Sequence, residues 1–183
     1  MRGGRREAGT KLGDKARERL RSAHGLATSG EHGEAATELG AMAEIARTRG
    51  LHRIAVHMGT RAATQAAKAG NFDQAAELTR AAVADAKIDG DKPRTAHAFG
   101  RVIRALQAAE QGELASSLGS EIRSGTGISA KVAEGEPAAV NRAMRRRLPK
   151  ACPTCGSKVD GAAVSFNEDS SVDCPVCGGV LKG

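Results

Sequence analysis

The chain has 183 residues and a mass of 18.8 kDa, which suits one ordinary domain or two small ones. Apolar residues make up 40% of it, but 35 residues are alanine, and the only aromatics are Phe72, Phe99 and Phe166. That composition argues against an aromatic-cored sandwich or barrel and against stacking of single-stranded nucleic acid.

The formal charge of +7 is concentrated rather than spread. Residues 1–21 carry +5, residues 142–150 another +5, residues 22–141 carry −1 and residues 151–183 carry −2. The basic excess is therefore an N-terminal arm and one short segment, not a face of the whole molecule. Such segments read first as solvated tails and linkers, and second as weak, salt-sensitive contacts for a polyanion. No apolar run follows Met1-Arg-Gly-Gly-Arg-Arg-Glu, and no stretch approaches a membrane span. The expected compartment is cytoplasmic, where thiols stay reduced and clustered cysteines point to metal before disulfides.

Residues 1–13 are expected to be a flexible basic terminus. From residue 14 to 123 glycines punctuate the chain at helix-hairpin spacing. Gly30, Gly70 and Gly112 are 40 and 42 apart, and Gly50 and Gly90 are 40 apart. An internal repeat emerges at an offset of 41, which pairs Arg53 with Arg94, Met58 with Phe99 and Gly59 with Gly100. Leu51, Ile54, Met58, Ala62 and Ala66 recur at helical spacing, as do Phe99, Val102, Ile103 and Leu106. Second helices are expected over 34–49, 72–87 and about 113–123. The prediction is a mainly α fold, six helices in three antiparallel hairpins, close-packed through alanine, the best helix former.

Residues 68–82, Lys-Ala-Gly-Asn-Phe-Asp-Gln-Ala-Ala-Glu-Leu-Thr-Arg-Ala-Ala, resemble the centre of a tetratricopeptide repeat. Gly70 matches that family's turn glycine, Phe72 its turn aromatic, and Ala75 and Ala82 its two small positions. The resemblance implies an array in which the first helix of each unit lines a concave groove. Arg53, His57 and Arg61 recur every fourth residue on one such helix, and Arg94, His97, Arg101 and Arg104 share a face of its equivalent. By that resemblance the two stripes are candidates to receive an acidic peptide or carboxylate; the alternative is a solvated face.

Residues 124–149 are expected to be a linker followed by a basic helix, in which Val140, Met144 and Leu148 form an apolar stripe. Arg142, Arg145, Arg146, Arg147 and Lys150 are its candidate polyanion contacts.

The strongest motif closes the chain. Cys152-Pro-Thr-Cys155-Gly156 and Cys174-Pro-Val-Cys177-Gly178 have the spacing C-x2-C-x18-C-x2-C of a four-cysteine zinc site. Each turn can aim two thiolates at one point, and two turns make a closed tetrahedral shell with no position for a catalytic water. Residues 150–183 resemble a zinc ribbon, with strands expected over 163–168 and 171–174. The apolar set Val159, Val164, Phe166, Val172, Val176, Val180 and Leu181 is too small to fold the segment unaided, so one structural Zn²⁺ would supply the missing free energy. A rubredoxin-like iron site would want aromatic neighbours beyond Phe166, and a dithiol exchanger would want a βαβ context. With zinc bound, the ribbon carries a charge of about −4, unfavourable for its own contact with phosphate.

Chemistry is not otherwise indicated. His24, His32, His52, His57 and His97 have no helical metal-pair spacing, and pairs such as Asp85 with Asp89 read as solvated helix surface. The expected function is a non-enzymatic, zinc-binding adaptor whose partner is another protein or peptide. The alternative is a nucleic-acid-associated zinc-ribbon protein using residues 142–150.

Overall fold

The computed structural model describes residues 14–89, 92–128, 148–159, 172–174, 176 and 180–181. These residues form six helices and two very short strands. The helices are α1 (Asp14–Ser29), α2 (His32–Thr48), α3 (His52–Lys68), α4 (Phe72–Asp89), α5 (Lys92–Ala108) and α6 (Gly112–Thr126). The strands are β1 (Val172–Asp173) and β2 (Val180–Leu181), paired antiparallel with Val172 opposite Leu181. The protein is mainly α. Helix α6 reaches Thr126, so the expected linker starts inside a helix. The strand expected over 163–168, like the apolar stripe residues Val140 and Met144, lies outside the described residues.

One turn design recurs at four of the helix junctions. Gly30, Gly50 and Gly70 have left-handed backbones, with φ of 90°, 70° and 79°, and Glu110 takes the same conformation at φ 62°. The N–H of the next residue (Glu31, Leu51, Asn71 or Gln111) returns 2.9 Å to the carbonyl of Leu26, Ala46, Ala66 or Leu106. This is the six-to-one bond of a Schellman turn. The same residue then opens the following helix, its carbonyl accepting from the N–H of Ala35, Ala55, Ala75 or Ala115. Glu31, Leu51 and Gln111 make no side-chain cap. Each completes one helix and begins the next, so helix follows helix without a loop. Charges at the ends support the helix dipoles, with Asp14, Glu34, Asp73 and Glu113 in first turns and Arg47, Lys68, Lys87 and Arg123 in last turns.

These turns correct the sequence register. The last one bends at Glu110, and Gly112 is already the first residue of α6. The internal offset is accordingly 40 rather than 41. Buried positions agree: Ala55, Met58, Gly59, Thr60, Ala62, Ala63 and Ala66 of α3 correspond to Thr95, Ala98, Phe99, Gly100, Val102, Ile103 and Leu106 of α5. At an offset of 41, buried Ala63 and Ala66 would meet exposed Arg104 and Gln107. The matching glycines suggested the wrong register because Gly59 is answered by Phe99.

Helix α3 is central, packed on α2, α4 and α5, while α6 covers α4 and α5. It is therefore buried along two stripes, Ala55–Met58–Ala62–Ala66 and Val56–Thr60–Ala63–Ala67. Alanine on both stripes lets three helices approach it. Gly59 marks the closest crossing, where an added Cβ would lie 3.3 Å from that of Ala82 and 3.9 Å from that of Ala43. Buried Thr60 and Thr79 satisfy their hydroxyls by donating to Val56 O at 2.9 Å and Ala75 O at 2.6 Å.

Two apolar clusters result. One gathers Phe99, Val102, Leu106, Leu118 and Ile122 with the alanines of α3 and α4. The other joins Leu20, Leu39, Met42 and Met58 of α1, α2 and α3 to the C-terminal cysteine segment. The described residues of that segment share this cluster with the helices.

Candidate metal centre

The first cysteine pair sits on a tight turn. Ala151 bridges Lys158 in antiparallel fashion, and Val159 N–H donates to Lys150 O at 3.0 Å. Inside that frame Cys152 N–H donates to Ser157 O and Gly156 N–H to Cys152 O, both at 2.8 Å. Gly156 has φ 74°, a backbone that a side chain would strain. The turn brings Cys152 and Cys155 to one side. From the other side β1 delivers Cys174, and Val176 is buried behind it before β2 returns.

The three sulfurs lie within 4.8 Å of one another, and all three cysteines are buried. Cys155 Sγ is 3.8 Å from Cys174 Sγ. A disulfide needs about 2.05 Å, and none joins these cysteines. Zinc–sulfur bonds of about 2.3 Å place tetrahedral sulfurs about 3.8 Å apart. The thiols are therefore spaced as metal ligands. Among the described residues no other group of three or more His, Cys, Asp or Glu side chains is placed to hold a metal. Ser157 Oγ, 3.3 Å from Cys155 Sγ, is a hydrogen-bonding neighbour for a ligand sulfur. Cys177, the fourth expected ligand, lies outside the described residues.

The centre is lined by helix residues of positive or titratable character. Arg21 of α1 reaches the turn, its Nη2 4.0 Å from where a Cβ on Gly156 would stand. His24, also on α1, is held below its ordinary pKa by burial and by Arg61, against an opposing pull from Cys174. Helix α1 thus lies beside the cysteine turn.

The two basic stripes are drawn together along the α3–α5 contact. His57 is pushed well below its ordinary pKa by burial, with Arg101, Arg61, Arg53 and His97 all acting on it in the same direction. Its Nε2 is buried without a hydrogen-bond partner. Arg61, His97 and Arg101 are half-buried and engaged in interactions of their own. Arg53 and Arg104 are exposed, and the side chain of Arg94 lies outside the described residues. Of the basic segment, Lys150 is exposed, while Arg142, Arg145, Arg146 and Arg147 are outside the described residues.

Sequence reasoning missed Asp85. Read as solvated surface, it is 2% exposed and accepts hydrogen bonds from Arg47 of α2 and His52 of α3. The partners are 38 and 33 residues away, beyond any local pattern. A signal did exist: Asp85 lies on the face of α4 that carries Ala82 and Ala86. His32, likewise, has a partner in Gln65, with its Nδ1 2.8 Å from Gln65 Oε1.

No helix among the described residues is long and apolar enough to cross a membrane. Comparison of the chain with protein-family models, with curated proteins and with solved structures finds no match.

Proposed function

We propose that this protein is a non-enzymatic interaction module, a tetratricopeptide-like helical array carrying a C-terminal zinc ribbon. The observation that carries the reading is the 3.8 Å separation of Cys155 and Cys174 sulfurs in a buried three-thiol cluster. Cys152, Cys155 and Cys174 would hold the metal, and Cys177 completes the set by its spacing. When bound, Zn²⁺ supplies a tetrahedral cross-link and withdraws the thiolates from other chemistry. Zinc is favoured over iron because Phe166 is the one aromatic residue in residues 150–183. The four-sulfur shell leaves no position for a catalytic water, so the metal's role is structural.

The repeat reading draws support from the 40-residue correspondence of buried positions and from turns of one design. In such an array α3 and α5 are equivalent first helices, whose shared face carries Arg53, His57, Arg61, His97 and Arg101. A surface of that sign suits an acidic peptide. The cytoplasm, where thiols stay reduced, is the compartment this chemistry fits.

Metal analysis of protein purified without added metal tests the reading. One zinc per chain is expected; iron, or a metal-free protein with intact fold, sinks the assignment. For the surface, the full chain and its Arg53→Glu/Arg101→Glu variant are compared by quantitative affinity purification. Partners captured by the parent chain and lost by the variant are expected. An unchanged set returns the stripes to solvated surface.

A further inference from the structure

The cysteine segment and the first three helices bury the same apolar surface. Val159, Val172, Val176 and Leu181 pack in one cluster with Leu20, Leu39, Met42 and Met58, and Leu148 packs against it from the rim. Leu20 and Leu39 are fully buried, and Met58 is 1% exposed. The segment is far below the size at which a chain folds on its own core. Among the described residues, its apolar side chains pack with the helices, and its three thiols lie together.

We infer that the α1–α3 face centred on Leu20, Leu39, Met42 and Met58 is the receptor surface for the metal-loaded C-terminal segment, so that metal capture and seating are a single linked equilibrium. The inference rests on the metal reading above. The occupant of the surface is this chain's own C-terminal segment, through Leu148, Val159, Val172, Val176 and Leu181. The argument has three steps. Seating the segment collects Cys152, Cys155 and Cys174 within bonding range of one ion, because Cys155 and Cys174 are themselves buried members of the cluster. A metal binds the collected thiols more tightly than dispersed ones, since less chain entropy remains to be lost. Linkage is reciprocal: whatever the metal contributes to seating, seating contributes to metal affinity. When the metal leaves, the apolar face of α1–α3 loses its cover.

The face and the ligands can therefore be tested apart. Leu20→Ala alters the face without touching a ligand, and Met42→Ala is a milder change should Leu20→Ala fail to fold. Leu118→Ala, in the other cluster, controls for general destabilisation. Zinc affinity of each full-length variant is measured by competition with a chromophoric chelator. Leu20→Ala or Met42→Ala is expected to weaken zinc binding about tenfold or more, the equivalent of about 1.4 kcal/mol, and Leu118→Ala to leave it within about twofold. In parallel, zinc removal is expected to speed amide exchange in α1 around Leu20 and Ala23. Equal zinc affinity in the parent chain and the face variants overturns the linkage, as does an equal loss in Leu118→Ala. So does α1 exchange that ignores zinc. A parent chain that binds no zinc overturns the metal reading as well, which keeps the two failures distinct.

Discussion

Arg47 on α2 and Asp85 on α4 are joined through one carboxylate oxygen, Asp85 Oδ2, which accepts from Arg47 Nε at 3.0 Å and lies 2.9 Å from Nη2 in the ion pair. Its other oxygen, Oδ1, accepts from His52 Nδ1 of α3 at 3.0 Å. One buried acid therefore fastens three helices at the end of the α3 entry turn. Arg47 also pairs with Glu44 one turn back, which holds the guanidinium in place. Asp85→Ala should cost about 3 kcal/mol, because it strands a partly buried cation and a histidine donor in one step. Urea unfolding measures it. A loss below about 0.5 kcal/mol would mean that the cluster orients the helices without stabilising them.

Glu110 occupies a left-handed backbone position held by glycine at the equivalent turns of residues 30, 50 and 70. A side chain there costs about 1 kcal/mol relative to glycine. Glu110→Gly should raise stability by about 0.5–1 kcal/mol, even though glycine loses more chain entropy on folding. Thermal unfolding followed by circular dichroism reads the change. A lowered midpoint would show that the Glu110 side chain has a compensating role.

Gly59 and Gly100, in the middle of α3 and α5, differ in surroundings. A Cβ on Gly100 meets nothing within 4 Å, whereas one on Gly59 presses on Ala82 at 3.3 Å. Gly100→Ala should therefore stabilise by about 0.5–1 kcal/mol, the helix-propensity gain. Gly59→Leu should destabilise by about 1–3 kcal/mol through overpacking of the α2–α3–α4 crossing. Chemical denaturation of the two variants should give opposite signs. The same sign in both would refute the close crossing.

Burial first, and then Arg101, Arg61, Arg53 and His97, push the His57 pKa well below its ordinary value. Its folded pKa lies below the unfolded value of about 6.5. Below pH 6.5 the unfolded chain takes up the proton first. The stability contributed by the neutral ring is thus complete above about pH 6.5 and is lost as pH falls toward the folded pKa. The loss approaches about 1.4 kcal/mol per pH unit at its steepest. His24 shifts the same way, so the histidine is isolated by difference: His57→Gln should flatten the acid limb between about pH 6.5 and 5. Parallel stability profiles for parent and variant would contradict a buried neutral His57.

Helix type was legible because it is written locally. Alanine content and three-to-four-residue apolar spacing select helices, and glycines at 30, 50 and 70 mark where they turn. The turn into α6 misled, because the left-handed position carries Glu110 and the nearby glycine belongs to the next helix. Backbone conformation there is imposed by the packing of α5 on α6, not by the residue's own preference. The clustering of Cys152 and Cys155 was equally legible, since ligand spacing within a turn is a local constraint.

By itself, then, the sequence determined a helical chain with regularly spaced turns and a set of thiols paired for metal. Tertiary structure alone decided where those thiols sit and which polar groups are buried. Cys155 and Cys174 share a buried cluster with Leu20 and Met58, residues more than ninety positions distant, and Asp85 finds Arg47 and His52 across two helix interfaces. Such pairings depend on which helix faces oppose each other. That is set by the summed apolar burial of all the helices, a quantity no short stretch of residues contains.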